Sequence, residues 1–150
     1  MSAKGGSMKN NQFVGTWKPI SFELHLFDGT VMKPFGDKPV GLAIFDNNNN
    51  FMAQVMKPGR REFEVDSQLG GTSEEIKEAF EGCVAYYGIS EVKDDKTVIN
   101  KVSGSLFPNW IGNDQVRYYK FYDNFLELHS PPRKIGDTEV KAFLKWERVL

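Results

Sequence analysis

The sequence has a single cysteine, Cys83, among its 150 residues, so an intramolecular disulfide cannot form. The fold must therefore rest on its hydrophobic core, and a lone thiol suits a reducing, cytoplasmic compartment. Any run of about 18 apolar residues is also missing, and the first residues lack the apolar stretch of a signal peptide. We therefore expect a cytoplasmic protein without membrane insertion.

Neither sign of charge is in excess, because 19 Lys and Arg residues face 20 Asp and Glu residues. A balanced charge gives no reason to expect nucleic acid as a partner. Phosphate-binding loops, dinucleotide fingerprints and the Gly-x-Ser-x-Gly nucleophile motif are missing as well. His25 and His129 stand in no metal-binding spacing, and Cys83 is interpreted as buried filler rather than a nucleophile. The sequence thus predicts no cofactor and no metal.

What the sequence does contain is a series of short segments rich in β-branched and aromatic residues, separated by turn signals such as Asp28-Gly29 and Asp123-Asn124. These segments predict eight strands, at residues 13–27, 40–46, 51–56, 83–93, 97–106, 115–122, 125–129 and 139–149. Most of the linkers are short, which favours an all-β, antiparallel, up-and-down barrel. Pro19 marks an expected β-bulge in the first strand.

One helix is predicted between the strands. Residues 72–75 have the pattern of a capping box, after which Ile76, Ala79 and Phe80 share one face and Gly82 can end the helix. We expect this amphipathic helix to pack against the barrel wall or to plug one end. Residues 1–11 are predicted to be a disordered tail or a cloning remnant, and residues 12–150 a single barrel domain.

Strand alternation suggests which side chains line a pocket. Met52, Gln54 and Met56 share one face and form a flexible stripe that suits an irregular apolar ligand, although plain core packing is the alternative. Tyr86 and Tyr87 are adjacent, so at most one of them lines the pocket through this strand. We assign Tyr87 to the pocket, where its phenol could bind a ligand carbonyl.

Arg117 is the most informative polar residue, since it shares a strand face with Tyr119 and Phe121. Inside a barrel its guanidinium could hold a carboxylate, an enolate or a carbonyl oxygen. The alternative is an ordinary pair with Glu91 or Glu127, or exposure to water. Tyr119 is included among the predicted ligand-binding residues because it lies on the same face as Arg117.

The segment from Phe107 to Trp110 lies between two predicted strands. Pro108 cannot continue a hydrogen-bonded ladder, so this segment is predicted to be a loop at the barrel mouth. Trp110 and Phe107 would then act as a lid over an apolar cavity or simply cover the barrel end.

Several motifs carry a resemblance to a known family. Gly15-Thr16-Trp17 resembles the Gly-x-Trp signature that opens lipocalins and related calycin barrels. Familiar segments follow in order, at residues 34–36, 52–56, 72–75, 85–88, 105–110, 115–119 and 146–148. From about residue 13 onward the chain resembles a bacterial and fungal family of lipocalin-like domain proteins. This resemblance implies that Trp17 closes one barrel end beneath Arg148 or Lys145, through a cation–π contact.

The same resemblance implies a histidine-containing segment on the strand before Ser105. This chain has Ile99-Asn100-Lys101-Val102 there instead. Any chemistry that depends on that histidine is therefore lost in this protein or is carried out differently.

Three functions are compatible with these observations. The leading one is the binding of a small, largely apolar molecule inside the barrel, with Arg117 fixing its polar end. The alternative is a cofactor-independent cyclase or isomerase for an unsaturated or polyketide-like substrate, in which Arg117 and Tyr87 stabilise charge on a carbonyl oxygen. The third is an interaction module with a filled barrel. The ligand and the oligomeric state are left open.

Overall fold

The computed structural model describes residues 12–150, so the predicted N-terminal tail lies outside the described residues. The described chain folds into ten strands, one α-helix and one 3-10 helix. In chain order they are β1 Gly15–Leu26, β2 Val31–Met32, β3 Val40–Phe45, β4 Asn50–Met56, α1 Ser73–Glu81, β5 Cys83–Val92, β6 Thr97–Ser105, the 3-10 helix Pro108–Trp110, β7 Asp114–Tyr122, β8 Phe125–His129, β9 Arg133–Ile135 and β10 Thr138–Arg148.

The sheet closes on itself because β1 pairs with both β3 and β10. Consecutive antiparallel pairings then run from β3 through β8 to β10, which gives an eight-stranded up-and-down barrel. The predicted all-β barrel is thereby confirmed. The two very short strands β2 and β9 were not predicted; they extend the hairpins at the ends of β1 and β10.

The long first strand carries the irregularity expected at Pro19. The pairing of β1 with β10 runs from Trp17 opposite Arg148 to Leu26 opposite Val140, and its register shifts between Pro19 and Ser21. Proline has no N–H to donate to the ladder, so the chain accommodates it with a bulge.

Helix α1 begins at the predicted capping box. The Thr72 hydroxyl accepts a hydrogen bond from the Glu75 amide, and the Glu75 carboxylate accepts one from the Thr72 amide (2.8 Å). A further bond from the Glu64 amide joins the helix to the preceding loop, and these bonds lower the pKa of Glu75. The helix packs against the barrel wall at β5, one of the two predicted alternatives, but leaves Ile76 and Phe80 nearly half exposed.

The core fills the barrel from one end. Phe13 and Trp17 are almost fully buried and pack with aromatic and aliphatic side chains from β3, β4, β7 and β8. Phe13 contacts Phe45, Tyr119 and Phe121 at centroid distances of 5.3, 5.0 and 4.9 Å. This end of the barrel is therefore closed by packed rings. No helix within residues 12–150 is long and apolar enough to cross a membrane.

Candidate functional site

A small cavity of about 50 Å³ lies inside the barrel above the aromatic core. Its walls are mostly apolar and come from β1, β3, β4, β8 and β10. The wall also includes side chains with polar groups, among them Tyr86 on β5, Asn100 on β6, Arg117 on β7 and Trp146 on β10. The barrel is therefore packed but not completely filled, and its remaining space is bordered by a few polar groups.

Arg117 lines the cavity and is partly buried. Its guanidinium donates to the Val116 carbonyl oxygen (2.7 Å) and to the Gln115 side-chain oxygen (2.8 Å). No carboxylate of residues 12–150 forms an ion pair with it: the predicted alternatives Glu91 and Glu127 interact with Lys101 and with the Tyr122 hydroxyl. Burial lowers the pKa of Arg117, yet an arginine stays protonated, so the site holds a positive charge without a counter-ion.

Two further polar atoms at the cavity are unsatisfied. The Asn100 Oδ1 and the Trp146 Nε1 are buried and have no hydrogen-bond partner among the described residues. Buried polar atoms are nearly always paired, and one left unpaired costs about 1–3 kcal/mol. Both residues lie on the cavity wall. The cavity therefore offers a free acceptor and a free donor besides the guanidinium.

Sequence reasoning missed Asn100 and Trp146 as site residues. Asn100 lies within the segment where the family resemblance implies a histidine, so the departure from the pattern was the available signal. Nothing local marks Trp146, because its role depends on strands that meet it from across the barrel.

A larger concavity, the mouth cavity, adjoins the interior one and has a volume of about 390 Å³. The two cavities share wall residues, namely Phe22, Trp110, Arg117 and Ala142. Arg133 also lines the mouth cavity and further lowers the pKa of Arg117 through charge repulsion. The interior cavity therefore adjoins a mouth cavity whose charged lining residues are Arg117, Arg133 and Asp114.

Trp110 lies at the border between the interior cavity and the mouth cavity. It ends the 3-10 helix that begins at Pro108, and its ring packs edge-on against Tyr86 (5.3 Å) and Phe107 (5.9 Å). The predicted loop at the barrel mouth is thus present. Because Trp110 borders both spaces, movement of this ring would join them.

The closed end contains the predicted stack. The Arg148 guanidinium lies 4.2 Å from the centre of the Trp17 ring. It also donates to the carbonyl oxygens of Val14 (2.8 Å) and Gln12 (2.8 Å), while the Trp17 Nε1 donates to the Phe13 carbonyl oxygen (2.8 Å). Lys145, the other predicted partner, lies instead over the rings of Phe125 and Tyr122.

Gly15 is required by this arrangement. Its φ is +133°, and a Cβ at this position would lie 2.7 Å from the Arg148 Nη1. The glycine of the Gly-x-Trp motif therefore leaves room for the guanidinium to reach the indole.

The structure corrects the direction predicted for four side chains. Met52 and Gln54 are exposed on the outer surface, Met56 is partly exposed, and Tyr87 is 52% exposed. Their neighbours in sequence face inward instead, namely Phe51, Ala53, Val55 and Tyr86. The assignment failed because both faces of β4 and β5 carry large uncharged side chains, so hydrophobicity does not tell the inside from the outside.

Tyr119 faces inward but does not line the interior cavity. Its ring packs on Phe13 and Phe121 at the closed end, and its hydroxyl donates to the Asp94 carbonyl oxygen (2.7 Å). Burial raises the pKa of this phenol. The structure thus brings Trp110 and Arg117 together at the cavity and leaves Tyr119 apart.

The remaining reactive side chains are separate from the cavity. His25 contacts the Glu23 carboxylate (2.8 Å), and His129 packs between Phe143 and Tyr118. Burial lowers the pKa of His129 and raises that of Cys83. Within residues 12–150 no group of three or more His, Cys, Asp and Glu side chains is arranged to hold a metal ion.

Comparison with known proteins agrees with this architecture. The model of the lipocalin-like domain family matches residues 14–149. The chain is also similar to the 4'-hydroxy-3'-methoxypropiophenone carrier protein ppsC of Aspergillus oryzae, with 36% identity over 105 residues, which is 65% of this chain and 95% of that protein. The family match over residues 14–149 spans the closed end, the interior cavity and the mouth cavity. The chain therefore belongs to the lipocalin-like domain family.

Proposed function

We propose that this barrel binds and carries a small, largely apolar molecule whose polar groups complete the hydrogen bonds of the cavity. One observation carries the proposal: among residues 12–150, an apolar cavity contains a guanidinium without a carboxylate partner, together with an unpaired acceptor on Asn100 and an unpaired donor on Trp146. A bound ligand would satisfy these groups, and few precisely placed polar groups in an apolar wall are typical of ligand sites. The lone Cys83 suits a cytoplasmic carrier.

The polar atoms define a ligand class. Arg117, at the side nearest the mouth, would bind a carbonyl oxygen or an anionic oxygen. A hydroxyl group suits Asn100 and Trp146, since it can donate to the amide oxygen and accept from the indole N–H. The propiophenone named for the similar Aspergillus carrier has a carbonyl and a phenolic hydroxyl on one aromatic ring. We therefore propose phenolic aryl ketones as the first ligands to test.

The size of the cavity implies that binding requires movement at the mouth. An interior space of about 50 Å³ is smaller than the cavity of about 150 Å³ that accepts benzene in another protein. An aromatic ketone would therefore extend into the mouth cavity and displace the Trp110 ring. Entry and release through the same opening are what a carrier needs.

A second candidate function uses the same groups for catalysis. The Tyr86 phenol lies close enough to Arg117 to affect the pKa of the guanidinium. The pair could stabilise negative charge developing on a substrate carbonyl oxygen during a cyclisation or isomerisation. In this proposal Tyr86 takes the role that the sequence suggested for Tyr87.

Calorimetric titration with 4'-hydroxy-3'-methoxypropiophenone tests the carrier proposal. We expect one ligand per barrel, and Arg117→Met should weaken binding by about 10–100-fold because a charge-assisted hydrogen bond is lost. Arg61→Met is the matched control, since Arg61 is exposed and pairs with Glu78 on the surface. Equal affinity of the Arg117 variant and the wild type would overturn the proposed site.

The same titration distinguishes the carrier proposal from the catalytic alternative. The bound compound is recovered after denaturation and analysed by mass spectrometry and NMR. Recovery of unchanged ligand supports a carrier for that compound. Conversion to an isomer by the wild type but not by Arg117→Met would establish the catalytic alternative.

A further inference from the structure

The outer surface of β3, β4 and β5 is unusually apolar. Strands β3 and β4 contain no charged residue, and β5 has none before Glu91. Large apolar side chains point outward from these strands and are 39% to 53% exposed. We call them the outer patch, which comprises Val40, Leu42, Ile44, Met52, Tyr87 and Ile89.

The members of the outer patch are contiguous. Ile44 pairs with Met52 across β3 and β4, and Met52 pairs with Tyr87 across β4 and β5. The Tyr87 ring lies flat over Gly104 of β6, where a Cβ would be only 2.3 Å from a ring carbon. This glycine lets the tyrosine extend the apolar surface sideways by one strand. The patch is therefore a continuous sheet face rather than scattered side chains.

Its size approaches that of an interface. A large side chain carries roughly 150–250 Å² of surface, so six of them at this exposure present on the order of 500 Å² of apolar area. The largest apolar patch on a typical monomer is about 300–600 Å² and is often functional. With the neighbouring uncharged side chains of Gln54 and Asn50, the face reaches toward the roughly 800 Å² per partner of a standard interface.

We propose that the outer patch is the interface of a homodimer, in which the same face of a second copy covers it. A two-fold interface buries the same patch on both copies, so any unpaired charge on the patch would be buried twice. This face has no such charge. The cations at its borders already have partners, because Lys101 lies 3.2 Å from Glu91 and Lys18 lies 3.4 Å from Glu147.

The same features argue against other occupants. A strongly charged protein partner would find no complementary charge on the patch. An anionic membrane surface is usually recognised by apolar groups flanked by an excess of Lys and Arg, which this border does not have. The barrel is closed by the pairing of β1 with β3 and β10, so the contact would be side chain to side chain and not the addition of a strand.

Sedimentation equilibrium of the full chain, over micromolar to near-millimolar concentrations, tests the proposal. We expect a reversible dimer for the wild type. Met52→Lys places a charge at the centre of the patch, where a dimer would bury it on both copies, and should raise the dimer dissociation constant by at least about 100-fold. Tyr118→Lys is the matched control on the outer face of β7 and should leave dimerisation unchanged.

A second variant protects the test against misfolding. Ile44→Gln removes apolar area without adding charge and should weaken the dimer by about tenfold, with an unchanged circular dichroism spectrum for all variants. A wild type that stays monomeric throughout the concentration range would overturn the proposal, as would a dimer that Met52→Lys leaves intact. Binding of monomeric wild type to vesicles or to another protein would assign the patch to that occupant instead.

Discussion

The arginines at the two ends of the barrel, Arg148 at the closed end and Arg117 near the mouth, differ in what their guanidinium groups contact. At the closed end, Arg148 has two backbone carbonyl partners and an indole face. Near the mouth, and among the residues that the structure describes, Arg117 bonds only to Val116 and Gln115 and lies beside other polar atoms without partners. The comparison separates two uses of a partly buried charge: the Arg148 guanidinium holds distant parts of the chain together, whereas we propose that the Arg117 guanidinium binds a ligand.

Energetics explain why this difference matters. Removing Arg148 leaves the partly buried Val14 carbonyl oxygen and the Trp17 ring without their partner, which destabilises the fold. Removing a charge that lacks a partner relieves a desolvation cost and is often neutral or favourable. Mutations at the two ends should therefore change the free energy of unfolding in different ways.

The largest effect is expected at Arg148. Arg148→Ala should lower the free energy of unfolding by about 3 kcal/mol, because two hydrogen bonds and the cation–π contact with Trp17 disappear together. Urea unfolding monitored by tryptophan fluorescence measures this loss. Lys134→Ala, an exposed position on β9, is the control and should change stability by less than about 0.5 kcal/mol. A similarly small loss for Arg148→Ala would contradict the structural role.

The next effect is expected at Gly15. Gly15→Ala should cost about 2 kcal/mol, since the new Cβ meets both an unfavourable φ and the Arg148 guanidinium. Gly29 is a matched control because its φ is +90° and a Cβ there meets nothing within 4 Å. Gly29→Ala should cost about 1 kcal/mol through backbone strain alone. Equal losses in the two variants, measured by urea unfolding, would mean that the contact with Arg148 contributes nothing.

Arg117 should give the opposite result in the ligand-free protein. Arg117→Met should leave the free energy of unfolding unchanged or raise it by up to about 1 kcal/mol, because an unpaired buried charge is replaced by an apolar chain. Thermal and urea unfolding of the ligand-free protein provide the measurement. A decrease of more than about 2 kcal/mol in the free energy of unfolding would contradict the proposed difference between Arg117 and Arg148.

The smallest effect is expected at Asn100. Asn100→Leu replaces an unsatisfied amide by an apolar group of similar volume and should raise stability by about 0.5–1 kcal/mol. In the proposed site the same change should weaken the phenolic ketone several-fold and leave an analogue without the hydroxyl unaffected. Calorimetry with this pair of ligands checks the result. Equal loss for both analogues would indicate a change of cavity shape rather than a lost hydrogen bond.

Much of the difference between Arg148 and Arg117 could be predicted from the sequence, but not all of it. The resemblance of Gly15-Thr16-Trp17 to the Gly-x-Trp signature implied a stack of Trp17 with Arg148 or Lys145, and the structure has Arg148 in that place. Arg117 was singled out for its place beside Tyr119 and Phe121. Its lack of a counter-ion could not be predicted, since that depends on where Glu91 and Glu127 find other partners.

The error in β4 has a physical cause that also concerns the proposed dimer. Alternation shows which side chains share a face, but the inward face is recognised only when the other face is polar. Met52 and Phe51 are both apolar, so the pattern is ambiguous. The outer patch that misled the assignment is the same surface that we propose to be an interface.

By itself the sequence determined the eight main strands, the bulge at Pro19, the capped helix after Thr72 and the partners that close the barrel, because each depends on local conformational preference or on a short motif. Only the tertiary structure decided which face of β4 and β5 lines the cavity and which polar atoms lack partners. Those properties arise where strands distant in sequence converge, and the sum of contacts around Asn100, Arg117 and Trp146 exists only once the barrel has closed.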